Sequence, residues 1–167
     1  GDDRDAISAV IGECSERADV VIVNGGLGPT TDDVTTEAAA AAAGVPVVRN
    51  KAWETRIRDW FAARSRTMTD NNLKQADLPE GAEVIDNPVG TACGYRMRIN
   101  SAEFFFTPGV PSEFKKMCDE HILPAIFRNV PDDTVILRYF LLGIGESSIG
   151  KRLSGISWPE GITIGYR

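Results

Sequence analysis

Asp19-Val20-Val21-Ile22-Val23-Asn24 is a continuous apolar run that stops on Gly25-Gly26 and leads, nine residues later, into an alanine-rich helix. A run without polar alternation is the pattern of a strand buried on both faces, as in a parallel sheet. Six consecutive alanines, Ala38 to Ala43, give the segment Val34 to Ala43 strong helix propensity, and Gly44 ends it. Strand, glycine loop and helix in this order constrain the chain to an α/β architecture. The ligand site of such folds lies at the carboxyl ends of the strands, where Gly25-Gly26 falls.

The rest of the chain supports that class. Asp5 to Ala18 spaces Ile7, Val10, Ile11 and Cys14 as an amphipathic helix, and Lys51 to Arg66 does the same with Trp53, Ile57, Trp60 and Phe61. Residues 67 to 81 are polar and read as loop. Short strands are expected at Glu83 to Asp86, Tyr95 to Asn100 and Glu103 to Thr107, the last two as a hairpin. Pro111 opens a helix running to about Phe127. After Pro131-Asp132-Asp133, a linker by composition, Thr134 to Leu142, Ser147 to Leu153 and Ile162 to Tyr166 read as strand, helix and strand. The expected division is therefore residues 1–130 and 131–167.

Charge narrows the function classes. The net charge is −6 with no Lys/Arg run, so the electrostatic footprint of a nucleic-acid binder is missing. Apolar stretches are too short to span a bilayer, and a membrane partner is not expected. Cys14, Cys93 and Cys118 are odd in number and in no metal-ligand spacing, which suits a reducing cytoplasm. Gly1 is not an initiator Met and the end at Tyr166-Arg167 directly follows a strand-like run, so both ends read as cut.

Gly25, Gly26 and Gly28 remove side chains from a strand-to-helix turn, which lets backbone N–H groups approach a ligand at a helix start. Both features favour phosphate, and Thr30 and Thr31 add hydroxyls. Asp32 and Asp33 would repel a bare phosphate, but suit one bridged by Mg²⁺ or another divalent cation. The competing reading has Asp33 as an N-cap and Gly25-Gly26 as a turn. Asn87-Pro88-Val89-Gly90-Thr91-Ala92-Cys93-Gly94 is either a second pocket wall or a connecting loop. Thr107-Pro108-Gly109-Val110-Pro111 opens a helix with Glu113 in its first turn, where capping alone explains the glutamate. Lys74 and Gln75 are within the polar loop, as phosphate ligands or as surface. Gly143-Ile144-Gly145-Glu146-Ser147 reads as a phosphate loop or as a turn before a helix.

Four ordered motifs resemble a known family. Gly25-Gly26-Leu27-Gly28-Pro29-Thr30-x-Asp32-Asp33-x-Thr35-x-Glu37-Ala38 is followed by Asn72-Leu73-Lys74-Gln75-Ala76. Asn87-x-x-Gly90-Thr91-Ala92-x-Gly94 and Pro108-Gly109-Val110-Pro111-x-Glu113 complete the series. Together they resemble the CinA (competence/damage-inducible protein A) family, whose first domain is similar to the molybdopterin-binding domain of molybdenum-cofactor biosynthesis proteins. The nearest likeness is to short members named as nicotinamide mononucleotide deamidase-related proteins, although nothing here corresponds to a deamidase domain.

The resemblance implies a three-layer α/β sandwich with a mostly parallel sheet, lacking its first strand, and then the start of a small α/β domain at residues 131–167. It implies binding of an ADP-ribose-like nucleotide and, as in some relatives, metal-dependent hydrolysis of its pyrophosphate. Phosphate and nucleotide would be held by Gly25, Gly26, Gly28, Thr30, Lys74, Asn87, Gly90, Thr91, Gly94, Pro108 and Gly109. Asp33 and Asp32 would hold the metal, and Asp2 (or Asp3) would match a second acidic residue beside it. The alternatives are a pterin- or nucleotide-binding module without catalysis and a purely structural role. A homodimer is the expected assembly, since dimers and trimers occur among relatives.

Overall fold

The computed structural model describes residues 3–128 and 137–165. They fall in two compact units, one ending at Val130 and the other beginning at Pro131. The first unit opens with helix α1, Arg4–Arg17, whose N-cap Asp3 accepts from the amides of Asp5 and Ala6 at 3.0 and 3.1 Å. Strand β1, Val20–Asn24, follows, and the glycine loop leads into α2, Thr35–Ala43. Gly44 ends α2 in the left-handed conformation, φ 67°, where glycine carries no Cβ penalty. Next come β2, Val47–Arg49, and α3, Lys51–Ala62.

The polar stretch read as loop is ordered into a 3₁₀ helix, Asp70–Ala76, and strand β3, Asp77–Pro79. β3 pairs antiparallel with β2 as a separate two-stranded ribbon, and Arg49 clamps Asp77 across it. Strands of three residues carry no periodicity, so the ribbon is invisible to pattern reading.

The main sheet comprises β1 with β4 (Glu83–Ile85), β5 (Gly94–Ile99) and β6 (Ala102–Thr107), in the order β1-β6-β5-β4. The expected mostly parallel sheet is not what forms: only β1 and β6 run parallel, while β6–β5 and β5–β4 are antiparallel. Connection length is the physical reason, because a parallel neighbour needs a crossover of a dozen or more residues. Only Asn100-Ser101 separates β5 from β6, with Asn100 at φ 52° as a tight hairpin requires.

A second correction concerns which strand is central. β1 lies on the sheet edge and leaves Ile22 41% exposed. Burial on both faces belongs to β6 instead. Phe104 and Phe106 face α1, α2 and α3 through Ile11, Ala38, Ala39, Trp53 and Ile57. Phe105, on the opposite face by strand alternation, packs with Ile85, Met117 and Ile122.

Met117 and Ile122 belong to the helical segment after the sheet: α4 (Pro111–Met117), a π-helical turn (Cys118–Ile122) and α5 (Leu123–Ile126). The slip accommodates Pro124, which has no N–H to offer the carbonyl four residues back.

In the second unit, α6 covers Glu146–Leu153. The strands expected at Thr134 to Leu142 and Ile162 to Tyr166 do not appear in their described parts, 137–142 and 162–165. Residues 134–136 and 166 lie outside the described residues. Among the described residues, no helix is long and apolar enough to cross a membrane.

Candidate functional site

The parallel register of β1 and β6 sets Asn24 beside Thr107, so both strands end together and release their loops at the same end of the sheet. Gly25 donates to the Thr107 carbonyl at 2.8 Å, which stitches the two loops at their origin. A Cβ on Gly109 would sit 3.4 Å from the Gly25 α-carbon, so the loops approach backbone to backbone. Gly25 and Gly26 have φ of 102° and 71°, in the left-handed region, and this turns the chain across the strand end toward α2. At Gly26 any side chain would also strike Thr35.

Asp33 is not the N-cap of α2. The N-cap of α2 is Val34, with no side-chain cap bond. Asp33 turns back instead: its Oδ2 accepts from the Thr30 amide at 2.9 Å and from the Thr30 hydroxyl. Thr30, expected as a phosphate ligand, therefore braces the loop and is not among the residues that border the cleft. Partial burial alone would raise the Asp33 carboxyl, but the Thr30 hydroxyl and amide, the Gly28 amide and the Lys74 ammonium together hold it below the usual carboxylate range.

Lys74 reaches the same loop across the chain, donating to the carbonyls of Asp33 at 2.6 Å and Thr30 at 3.1 Å and pairing with Glu37 at 3.3 Å. Its ammonium holds the loop from behind. The amides of Gly26 and Leu27 donate to no protein acceptor among the described residues, and α2 lacks a side-chain cap. Unpaired N–H groups near a helix start are the kind of donor that suits an anion.

The loop 87–94 forms the second wall. Asn87, 1% exposed, accepts from the amides of Val89 and Gly90 at 3.1 and 3.0 Å. It donates to the Ala92 carbonyl at 2.8 Å and to Glu113 Oε2 at 2.7 Å. Trp53, expected as core, is buried and also donates its indole N–H to the Thr91 carbonyl at 3.0 Å, fixing the loop against α3. Together the three loops line an open cleft of about 390 Å³ bordered by Gly26, Gly28, Asp33, Thr91, Gly109 and Glu113. Pro108 is also on its rim.

Several expected site residues are placed elsewhere. Gly94 packs inside the sheet, where a Cβ would lie 2.7 Å from the Phe106 carbonyl and 3.1 Å from Met117 Sδ. Gly90 packs against the Glu113 carboxylate, and Asp32 is exposed at the loop surface. Asp3 caps α1, and Asp2 lies outside the described residues.

A small cavity of about 10 Å³ behind the loop is bordered by Gly28, Asp33, Glu37, Lys74, Gln75 and Tyr95. Glu37 Oε2 and Gln75 Oε1 have no hydrogen-bond partner among the described residues. Tyr95 carried no sequence signal for a site, because an aromatic in a strand reads as core. Burial pushes the Cys93 thiol up to about 12, so it is no activated nucleophile.

Among the described residues, no group of three or more His, Cys, Asp or Glu is arranged to hold a metal. Of the two loop carboxylates only Asp33 borders the cleft, and one carboxylate suits a cation that arrives with phosphate oxygens and keeps several waters, as Mg²⁺ does.

Residues 1–128 match the family described as "Probable molybdopterin binding domain". A crystal structure of the protein CinA from Thermoplasma acidophilum, described as of unknown function, matches with a TM-score of 0.64 and 32% identity, covering 71% of this chain and 69% of that one. The chain belongs to the CinA family. CinA-like proteins of Shewanella piezotolerans and Shewanella woodyi are 52% and 50% identical to it over 169 residues. This CinA-family chain is matched over 100% of its length but spans 40% of theirs. Both carry the CinA-like name, and neither is named for nicotinamide mononucleotide deamidase.

Proposed function

We propose that this CinA-family domain binds a nucleotide through its phosphates, with ADP-ribose or a related dinucleotide as the ligand. The observation that carries the reading is the convergence of three loops on one cleft, with the free amides of Gly26 and Leu27 beside the uncapped start of α2. The cleft is of a size that suits a small-molecule site.

Hydrolysis of the pyrophosphate is the catalytic form of this reading. Asp33, assisted by Asp32, would hold Mg²⁺ or another divalent cation against the phosphates, and Lys74 would keep the loop in shape around them. A cation so held neutralises phosphate charge and polarises the phosphoryl group. Asp2, outside the described residues, is a further candidate ligand.

A second reading, a pterin- or nucleotide-binding module without catalysis, is favoured by the engagement of Asp33 Oδ2 with Thr30. Calorimetry with ADP-ribose and Mg²⁺, run beside an assay for released AMP, separates the two. Binding with turnover that Asp33→Asn abolishes, while the variant still melts cooperatively, supports the hydrolase. Binding without product over hours supports the module, and no binding at all defeats both. A homodimer remains the proposed assembly, and sedimentation of the chain tests it.

A further inference from the structure

We propose that Glu113 is the residue that selects ribose, accepting hydrogen bonds from the two vicinal hydroxyls of a nucleotide bound in the cleft. The inference rests on the nucleotide reading and adds a substrate feature to it.

Glu113 sits in the first turn of α4, where capping would send its carboxylate to the helix's own amides. No such bond forms. The N-cap is Val110 without a side-chain cap, and Glu113 instead takes the Asn87 amide at 2.7 Å. Asn87 is itself held at both ends of its side chain by the 87–92 loop, so its N–H has one direction to point. The carboxylate is thus oriented before any ligand arrives.

Its position requires a glycine opposite. A Cβ at Gly90 would lie 2.5–2.6 Å from the carboxyl atoms of Glu113, so this pair is built around the missing side chain. Oε1 accepts no hydrogen bond among the described residues, and Oε2 has acceptor capacity left beyond the single Asn87 bond. Glu113 borders the same cleft as Gly26, Gly28 and Asp33 of the phosphate loop.

Without a bridging cation a carboxylate repels phosphate, so Glu113 is matched to an uncharged, donor-bearing part of the ligand. The phosphates occupy the amide-rich wall, and the next unit of a nucleotide is the sugar. Two adjacent hydroxyls match the two oxygens of one carboxylate. The same chemistry places an acidic side chain on the ribose in dinucleotide-binding folds of other design.

The test is calorimetry on the full chain with AMP, 2′,3′-dideoxy-AMP and inorganic pyrophosphate, with and without Mg²⁺. The wild-type chain is expected to prefer AMP over the dideoxy compound by on the order of tenfold or more, the size of a charge-assisted hydrogen bond. Glu113→Ala removes the acceptor and brings that ratio close to one. Gly90→Ala, which keeps the glutamate but displaces it, lowers the ratio as well, and thermal melting confirms that each variant folds. A wild-type ratio near one overturns the proposal regardless of the variants. So does an undiminished ratio in Glu113→Ala, including the case where only the Mg²⁺ dependence of binding changes, which would make Glu113 a metal ligand. Pyrophosphate binding with no AMP discrimination defeats the ribose assignment alone, whereas silence from all three ligands defeats the nucleotide reading beneath it.

Discussion

Asn87 offers the sharpest test of how the second wall is built, because one buried amide organises four partners. Replacing it with alanine orphans the amides of Val89 and Gly90 and the carbonyl of Ala92, and strips Glu113 of its donor. Neutral hydrogen bonds contribute about 0.5–1.5 kcal/mol each, and the one to a carboxylate about 1.5–3 kcal/mol. The four act as one network and do not add fully, so the expected loss is about 3–5 kcal/mol. For a domain of this size that lowers Tm by roughly 10–15 °C. Urea denaturation followed by circular dichroism measures it directly.

Asn87→Asp makes the argument specific. The introduced carboxylate keeps acceptors for Val89 and Gly90 but loses the donor and sets a second negative charge, buried, against Glu113. Like charge and burial both disfavour its ionised form, so its folded-state value is raised. The penalty is therefore full near neutral pH and is relieved as acid protonates the introduced carboxyl. A loss below about 1 kcal/mol for the alanine variant would refute the network account. So would an aspartate variant whose deficit relative to wild type is the same at pH 5 and pH 8.

Gly26→Ala combines a left-handed φ of 71° with a collision against Thr35, and is expected to destabilise by at least about 1–2 kcal/mol and weaken phosphate binding. Unchanged denaturation and pyrophosphate titrations would place Gly26 outside the constraint. The Asp33 carboxyl is held low in the folded state, so its contribution is present above about pH 4 and is lost as pH falls through the folded value. The stability gap between wild type and Asp33→Asn should thus shrink in acid, as paired denaturation curves will show. Cys93, with its thiol pushed up to about 12 by burial, should resist iodoacetamide at pH 8 until the domain is unfolded, read by peptide mass spectrometry.

Read as sequence, the chain already held its longer α-helices, the β5–β6 hairpin and the positions of three small-residue loops, since each is marked locally. Alanine propensity with Gly44 defined α2, helical spacing placed Trp53 and Ile57 on one buried face, and glycine clusters marked where backbone had to be exposed. Those signals depend on neighbours within a few residues, and they hold in any context that lets the chain pack.

Sheet direction, strand order and the division of labour inside the site were decided only in three dimensions. Val20–Asn24 and Ala102–Thr107 are both apolar enough for a central strand, and which one is flanked on both sides depends on partners far away in sequence. Asp33 bracing Thr30, Lys74 holding the loop from behind, and Asn87 turning Glu113 away from its own helix are likewise contacts between distant or oppositely facing groups. A residue type announces what chemistry it can perform; the fold's closure determines which atom it faces.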